Sequence, residues 1–244
     1  MKIGIISDIH GNAEALRVVL KKIEDVDQIV CLGDIVGYGA DPSFCIEKIR
    51  SLEALCLKGN HEAAITGELS LTYFSEDAKS SLQWTKDRLK DFDLDYLSRL
   101  KLKTTLAKDI LGVHGSPRQP LWEYVLDKQV AEEIFTSFNF KIYFIGHSHI
   151  AGYFAFRHKD KTINYYSAIE GIKIPLKSAY SYLINCGSVG QPRDRNPQAC
   201  YVLFDTEQLS VEICRIKYLI SKTQEKITKA NLPSFLAERL SIGI

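Results

Sequence analysis

Two histidines one residue apart close the apolar run FIGHSHI at residues 144–150, in a chain with six histidines among 244 residues. Imidazole titrates nearest neutrality and is the commonest metal ligand. Such a pair is therefore either a polar strand ending or part of a metal or acid–base site, and partners elsewhere decide. Asp8 and His10 follow KIGIIS, Asp34 follows QIVCLG, Asn60 and His61 follow EALCLKG, and His114 follows DILGV, while His147 and His149 follow KIYFIG. Each of these five runs delivers an Asp, Asn or His at its carboxyl end. The set offers two carboxylates, one amide oxygen and four or five imidazoles, with no thiolate. Mixed nitrogen and oxygen ligands suit Mn, Fe(II), Co, Ni or Zn, with manganese favoured here; an all-oxygen set would suit Mg or Ca. Seven candidate donors, Asp8, His10, Asp34, Asn60, His114, His147 and His149, exceed the need of one tetrahedral ion. They suit two divalent ions about 3.5–4 Å apart that share a carboxylate. The sixth histidine, His158, lies in the polar turn RHKDKT and is expected to be exposed and without function.

For these residues to meet, the apolar runs must be strands whose carboxyl ends share one rim, the edge where open α/β sheets bind ligands. Short β-branched runs do alternate with helical periods. KIGIIS, QIVCLG and EALCLKG read as strands. NAEALRVVLKKIE reads as a helix with Ala15, Leu16, Val19, Leu20 and Ile23 on one face. Asp41-Pro42 offers an N-cap and a first-turn proline to PSFCIEKIRSL. Residues 75–100 read as mostly helical, and LDKQVAEEIFTSF as a helix between the strands DILGVHG and KIYFIGHSH. After residue 150 strands follow one another: AGYFAFR and KTINYYSAI joined across Lys159-Asp160, then SYLINCGS, ACYVLFDT and SVEICRIK. Two amphipathic helices, near 221–230 and in LPSFLAERLS, close the chain. No internal repeat, low-complexity tract or linker is evident. The expectation is a single α/β domain over residues 1–244, with 63–107 a helical, cap-like segment.

Bulk composition narrows the function. The chain is 45% hydrophobic and 25% charged, with a formal net charge of +1 and the two signs interspersed. A nucleic-acid-binding protein usually carries a strong basic footprint; a small anionic substrate needs only local positive charge. The five-residue apolar run before Asp8 is too short for a signal-peptide core. No segment approaches the ~20 apolar residues of a membrane span, so a cytoplasmic, non-membrane protein is the expectation. Six cysteines without C-x-x-C spacing, mostly inside apolar runs, read as reduced, buried small hydrophobes. Oligomeric state is not legible at this level.

The quoted residues resemble the calcineurin-like metallophosphoesterase family, whose pattern is D-x-H, G-D, G-N-H-[DE], an isolated H, then G-H-x-H. Here it reads DIH (8–10), GD (33–34), GNHE (59–62), VHGSP (113–117) and GHSH (146–149), in the family's order. The resemblance covers about residues 1–205 and implies a four-layer αββα sandwich with two mixed β-sheets between helices. It implies that Asp8, His10 and His149 hold one metal and Asn60, His114 and His147 the other, with Asp34 between them. It further implies that His61 is no ligand but the general acid facing the leaving-group oxygen. Two such ions would lower the pKa of a bridging water and neutralise phosphoryl oxygens, so that hydroxide attacks phosphorus in line. The activity implied is metal-dependent hydrolysis of a phosphoric ester.

A further loop, NCGSVGQPRDRNPQA (185–199), resembles the GSVGQPR segment of a bacterial and archaeal branch described as phosphodiesterases or relatives of diadenosine tetraphosphate hydrolases. Arg193 there either grips a phosphate bidentately or is solvated beside a tight structural turn. Asn12 and Tyr38, also near the rim, are either substrate contacts or helix-capping and packing residues. A small phosphodiester or nucleotide polyphosphate is the expected substrate. One alternative is a serine/threonine protein phosphatase. GNHE fits it, but residues 33–39 read GDIVGYG where those enzymes carry a GDxVDRG-type segment. The other alternative is a non-catalytic scaffold, which the presence of His61 with every ligand argues against.

Overall fold

The computed structural model describes all 244 residues. Three parallel strands open the fold: β1 (Lys2–Ile6), β2 (Gln28–Cys31) and the short β3 (Leu55–Cys56). They alternate with α1 (Ala13–Lys22) and α2 (Pro42–Ser51), and α3 (Asn60–Ile65) follows β3 directly. Next come α4 (Glu76–Lys86), α5 (Asp91–Ser98), β4 (Lys103–Ala107), β5 (Ile110–Val113), α6 (Lys128–Ser137) and β6 (Ile142–Ile145). The β-rich part holds β7 (Gly152–Arg157), β8 (Thr162–Ser167), β9 (Lys173–Pro175), β10 (Tyr180–Asn185), β11 (Ala199–Asp205) and β12 (Ser210–Ile216). α7 (Ile220–Lys229) and α8 (Ser234–Glu238) end the chain, with a short 3₁₀ turn over Arg239–Ser241.

The strands form two six-stranded mixed sheets, ordered β3-β2-β1-β11-β12-β9 and β4-β5-β6-β10-β7-β8. Side-chain alternation explains why the sheets stack. On β1, Ile3 and Ile5 face the second sheet while Ile6 lies with the helices, and on β2 Val30 and Cys31 divide the same way. The layer between the sheets joins Ile3, Ile5, Val202 and Phe204 of one sheet to Ile142, Phe144 and Ile184 of the other, with the Phe144 and Phe204 rings 5.2 Å apart. Each such fully buried side chain stabilises the fold by about 1.5–3 kcal/mol. Outside the first sheet, Leu16, Val19 and Ile23 of α1 and Cys45, Ile46 and Ile49 of α2 cover Ile6, Cys31 and Tyr201. Outside the second, Ala131 and Ile134 of α6 cover Leu111, Tyr143 and Leu183. The result is the expected four-layer αββα sandwich.

Local departures from the sequence expectation have physical causes. The helical reading of 75–100 breaks at residues 87–90, where Leu89 turns into the core and Lys90 becomes extended (φ −87°, ψ 160°) ahead of α5. Strand β4, unforeseen, pairs with β5 across a turn in which Asp109 takes φ 63°. Asp41 stands at the N-cap of α2 but makes no capping bond; its carboxylate takes Lys226 Nζ at 2.7 Å instead. All six cysteines are free, no helix is long and apolar enough to cross a membrane, and His158 is exposed.

Candidate metal centre

Strands β1, β2 and β3 of one sheet and β5 and β6 of the other run so that their carboxyl ends meet. There Asp8, His10, Asp34, Asn60, His61, His114, His147 and His149 gather, each between 0 and 5% exposed. Burying this much polarity without partners is costly, so the hydrogen-bond accounting is informative. Five of the eight sit in the left-handed region: Asp8 (φ 56°), His10 (50°), Asp34 (53°), His147 (66°) and His149 (59°). Non-glycine residues there cost about 1–3 kcal/mol each and persist where surrounding structure enforces them. The strain folds each strand end back so that its side chain faces inward. Close approach of the loops needs small neighbours: a Cβ on Gly59 would lie 2.1 Å from Asp34 Oδ1, and one on Gly190 1.8 Å from the Ile9 carbonyl.

Every imidazole of the candidate donor set is oriented by a backbone carbonyl. His10 Nδ1 donates to Val36 O (3.1 Å), His114 Nδ1 to Leu32 O (3.2 Å) and His149 Nδ1 to Gln191 O (2.6 Å). His147 is turned the other way, its Nε2 donating to Trp122 O at 3.2 Å, with Tyr124 stacked on its ring at 4.1 Å. A carbonyl only accepts, so the proton of each neutral ring lies on the outer nitrogen and the inner one carries a lone pair.

The inner atoms form two groups. In the first, His149 Nε2 lies 3.1 Å from His10 Nε2 and 3.2 Å from Asp8 Oδ1, an oxygen that has no hydrogen-bond partner. In the second, His114 Nε2 lies 3.2 Å from Asn60 Oδ1 and 3.2 Å from His147 Nδ1. Asp34 Oδ2 faces both, 3.7 Å from His10 Nε2 and 3.4 Å from His114 Nε2. Crowded lone pairs with a carboxylate oxygen lacking any donor are what a cation resolves, so these residues fit divalent metal ions. Three overlapping triads form a candidate His/Asp metal-binding cluster: Asp8, His10 and His149; His10, Asp34 and His61; and Asp34, His114 and His147.

The electrostatics follow from burial and these contacts. Burial pushes His10 well below its ordinary value and His147 down to about 3. Burial, then the Arg193 guanidinium, lowers His149. Burial would raise Asp8 and Asp34, but His149 beside Asp8, and His114 and His61 around Asp34, outweigh it and hold both carboxyls low. His114 is the exception: burial lowers it, yet the Asp34 carboxylate more than offsets this and raises it to about 9.

His61 stands beside the two groups. Its Nε2 is 3.9 Å from Asp34 Oδ2, and its ring packs among His10 (4.7 Å), Tyr38 (4.6 Å) and Phe74 (5.5 Å). Its Nδ1 is buried without a partner, and burial lowers the ring to about 4. The three expected substrate contacts differ in freedom. Arg193 is half-buried, donates to Gln191 Oε1 (2.9 Å) and Tyr38 OH (3.4 Å), and has no carboxylate partner. Tyr38 lies against the His10 ring at 4.6 Å. Asn12 is 1% exposed, and its amide is engaged by Ala15 N, Gly190 O and Thr223 Oγ1, so it caps α1 and ties it to the Gly190 loop and to α7.

One structural residue of the site was not singled out by sequence reasoning. Glu62, fully buried at the start of α3, accepts from Asp34 N (2.7 Å), Gly59 N (2.9 Å), Ile35 N (2.8 Å) and Val36 N (3.2 Å). Burial, with Asp34 close by, pushes its carboxyl up to about 7, while these amides favour the charged form. It holds the loop that carries Asp34. The available signal was a Glu three residues after the glycine that opens a helix, half of a capping box.

Layered sheets with strained, histidine-rich loops at shared strand ends define a class. Residues 1–209 match the calcineurin-like phosphoesterase superfamily domain, and the chain belongs to that superfamily. It is 41% identical over 248 residues to protein MJ0912 of Methanocaldococcus jannaschii, covering 99% of this chain and 98% of that one. A metallophosphoesterase from Sphaerobacter thermophilus has a similar structure, with TM-score 0.89 at 37% identity, covering 100% of this chain and 99% of that one. Protein PH1004 of Pyrococcus horikoshii shares the fold with TM-score 0.82 at 21% identity, covering 100% and 98%.

Proposed function

We propose that this protein is a dinuclear, metal-dependent hydrolase that cleaves a P–O bond of a small phosphodiester or a nucleotide polyphosphate. The observation that carries the reading is the pair of donor groups flanking Asp34, in which each imidazole is locked by a backbone carbonyl with its inner nitrogen aimed at a neighbouring donor. Asp8, His10 and His149 would hold one ion, Asn60, His114 and His147 the other, and Asp34 both; Mn, Fe, Co, Ni and Zn all suit such a mixed nitrogen and oxygen set. When bound, such a pair supplies positive charge to phosphoryl oxygens and acidifies a coordinated water.

The remaining work falls to the chain. Buried walls keep bulk water away, so each charge acts in a low effective dielectric. His61 is assigned to the leaving-group oxygen. Its ring, neutral near pH 7 without substrate, gains affinity for a proton when an anionic phosphoryl group arrives, and it can then donate from Nε2. Gly37 makes room for that ring, since a Cβ there would lie 2.0 Å from His61 Nδ1. Arg193, seated on Tyr38 with its centre 5.7 Å from the ring centroid, offers a fork of donors to a phosphate oxygen. The depth of the donors favours a slender substrate over a folded phosphoprotein.

The test is a substrate panel on protein stripped of metal and reloaded with Mn, Co, Ni, Fe(II) or Mg, with bound metal counted. The panel pairs bis(p-nitrophenyl) phosphate, a phosphomonoester and diadenosine tetraphosphate with a phosphopeptide. Two ions per chain and turnover of a diester or dinucleotide are expected. Preference for the phosphopeptide would make this a protein phosphatase, and a loaded protein inert toward every P–O bond would make it a scaffold.

A further inference from the structure

Large aromatic side chains border the candidate metal centre from two segments that supply no donor to it. In the segment 63–107, a short 3₁₀ turn (Leu71–Tyr73) presents Tyr73, 72% exposed, and beside it Phe74 meets the His61 ring edge-on at 5.5 Å. The loop between β5 and α6 supplies Trp122 and Tyr124. The Trp122 ring stands 5.8 Å from Tyr73 and 5.2 Å from Phe74, and its carbonyl is the one that orients His147. Tyr124 lies on the His147 ring, 4.1 Å away and 11° from parallel, yet it is 47% exposed and no other ring packs on it.

Scattered singly, exposed aromatic rings need no explanation. Here both exposed tyrosines join through ring contacts to one centre, Tyr124 to His147 directly and Tyr73 through Trp122 and Phe74 to His61. The polar side chain between Trp122 and Tyr124 is engaged elsewhere, Glu123 being bound by Arg118 and Ser116. What this rim offers is flat apolar surface beside the metal centre. We infer that Tyr124, together with Trp122 and Tyr73, is a stacking platform for a nucleobase of the substrate. This rests on the hydrolase reading and narrows the substrate from any small ester to one with a base near the scissile phosphate. Every base has a π-face, so such a platform takes purines and pyrimidines without reading their edges.

The test measures, by calorimetry on Mn-loaded protein, the binding of two product-type ligands, adenosine 5′-monophosphate and ribose 5-phosphate, which differ by the base. The wild-type chain is expected to bind the nucleotide about tenfold more tightly. Tyr124→Ala should remove most of that preference and Tyr73→Ala part of it, while Tyr124→Phe, which keeps the ring, retains it. Tyr166→Ala, which removes an exposed ring from the edge strand β8, is expected to leave it unchanged. Equal wild-type affinity for the two ligands, or a preference that survives both alanine variants, overturns the platform. Equal weakening of both ligands in Tyr124→Ala also overturns it, because Tyr124 would then serve only to hold His147. Failure of the hydrolase reading would show separately, as no turnover across the ester panel while the base preference is still measured.

Discussion

Asp8, His10 and His149 bring three lone-pair atoms within 3.1–3.8 Å of one another with no proton among them, because both rings give theirs to backbone carbonyls. Asn60, His114 and His147 surround a nitrogen that keeps its proton, since Asp34 at 3.4 Å raises His114 to about 9. The two groups share a carboxylate and a construction of strained strand ends, yet the first has only unshared pairs to offer and the second already holds a cation of its own, the imidazolium proton. The difference lies in what acts beside burial at each ring: Asp34, with Asp8 and Glu62, raises His114, whereas the Arg193 guanidinium joins burial in lowering His149. In the metal-free chain the groups are therefore unequal: an ion in the first relieves repulsion, whereas an ion in the second must displace a proton.

Removing the shared carboxylate should erase this inequality and cause the largest loss. Asp34→Asn is expected to drop bound metal from two ions to one or none and turnover to background, measured by metal analysis beside an ester assay. Retention of both ions would mean that Asp34 is not shared. Next in size is His61→Ala, which spares both groups. Turnover should fall about 10²–10⁴-fold, the usual worth of a general acid, with metal content unchanged; loss of metal would make His61 a ligand, in keeping with the 3.9 Å between its Nε2 and Asp34.

A smaller effect is expected at Glu62, whose carboxylate accepts four backbone N–H groups. Glu62→Gln keeps the shape but turns one acceptor into a donor facing amides. The Asp34 loop should loosen and metal affinity drop about 10–100-fold, as is usual for groups that orient ligands. Titration of the stripped variant with Mn would show it; unchanged affinity would make Glu62 a mere helix start.

How much of this was legible in the sequence depends on what a residue type can announce. Asp8, His10, Asp34, Asn60, His114, His147 and His149 could be read because polar side chains at the ends of apolar runs stand out, and parallel strands bring such ends together. Val36, Leu32, Gln191 and Trp122 could not be read as the groups that orient the rings, because they act through carbonyls that every residue owns. The short strands β4 and β9 lie at or near sheet edges, where alternation is weak and partners decide. An amphipathic pattern announced α7 and α8, but it says only that a helix has a buried face. It could not say that this face lies on Tyr38 and lines a small cavity shared with His10.

The smallest and sharpest test of the inequality is the pH dependence of stability without metal. His114 binds its proton more tightly folded than unfolded, about 9 against 6.5. Its contribution is therefore complete below pH 6.5 and is lost as pH rises toward 9, on the order of 3 kcal/mol. His61 and His147, lowered by burial to about 4 and about 3, act in the opposite sense: their contribution is present above 6.5 and declines as pH falls toward those values. Denaturant midpoints of chelator-treated protein should thus fall on both sides of the weakly acidic range. His114→Asn should flatten only the alkaline side, and metal loading should do the same by displacing the proton. An alkaline limb that survives both changes would mean that the second group holds no proton, and the contrast between the two groups would then be one of ligand chemistry alone.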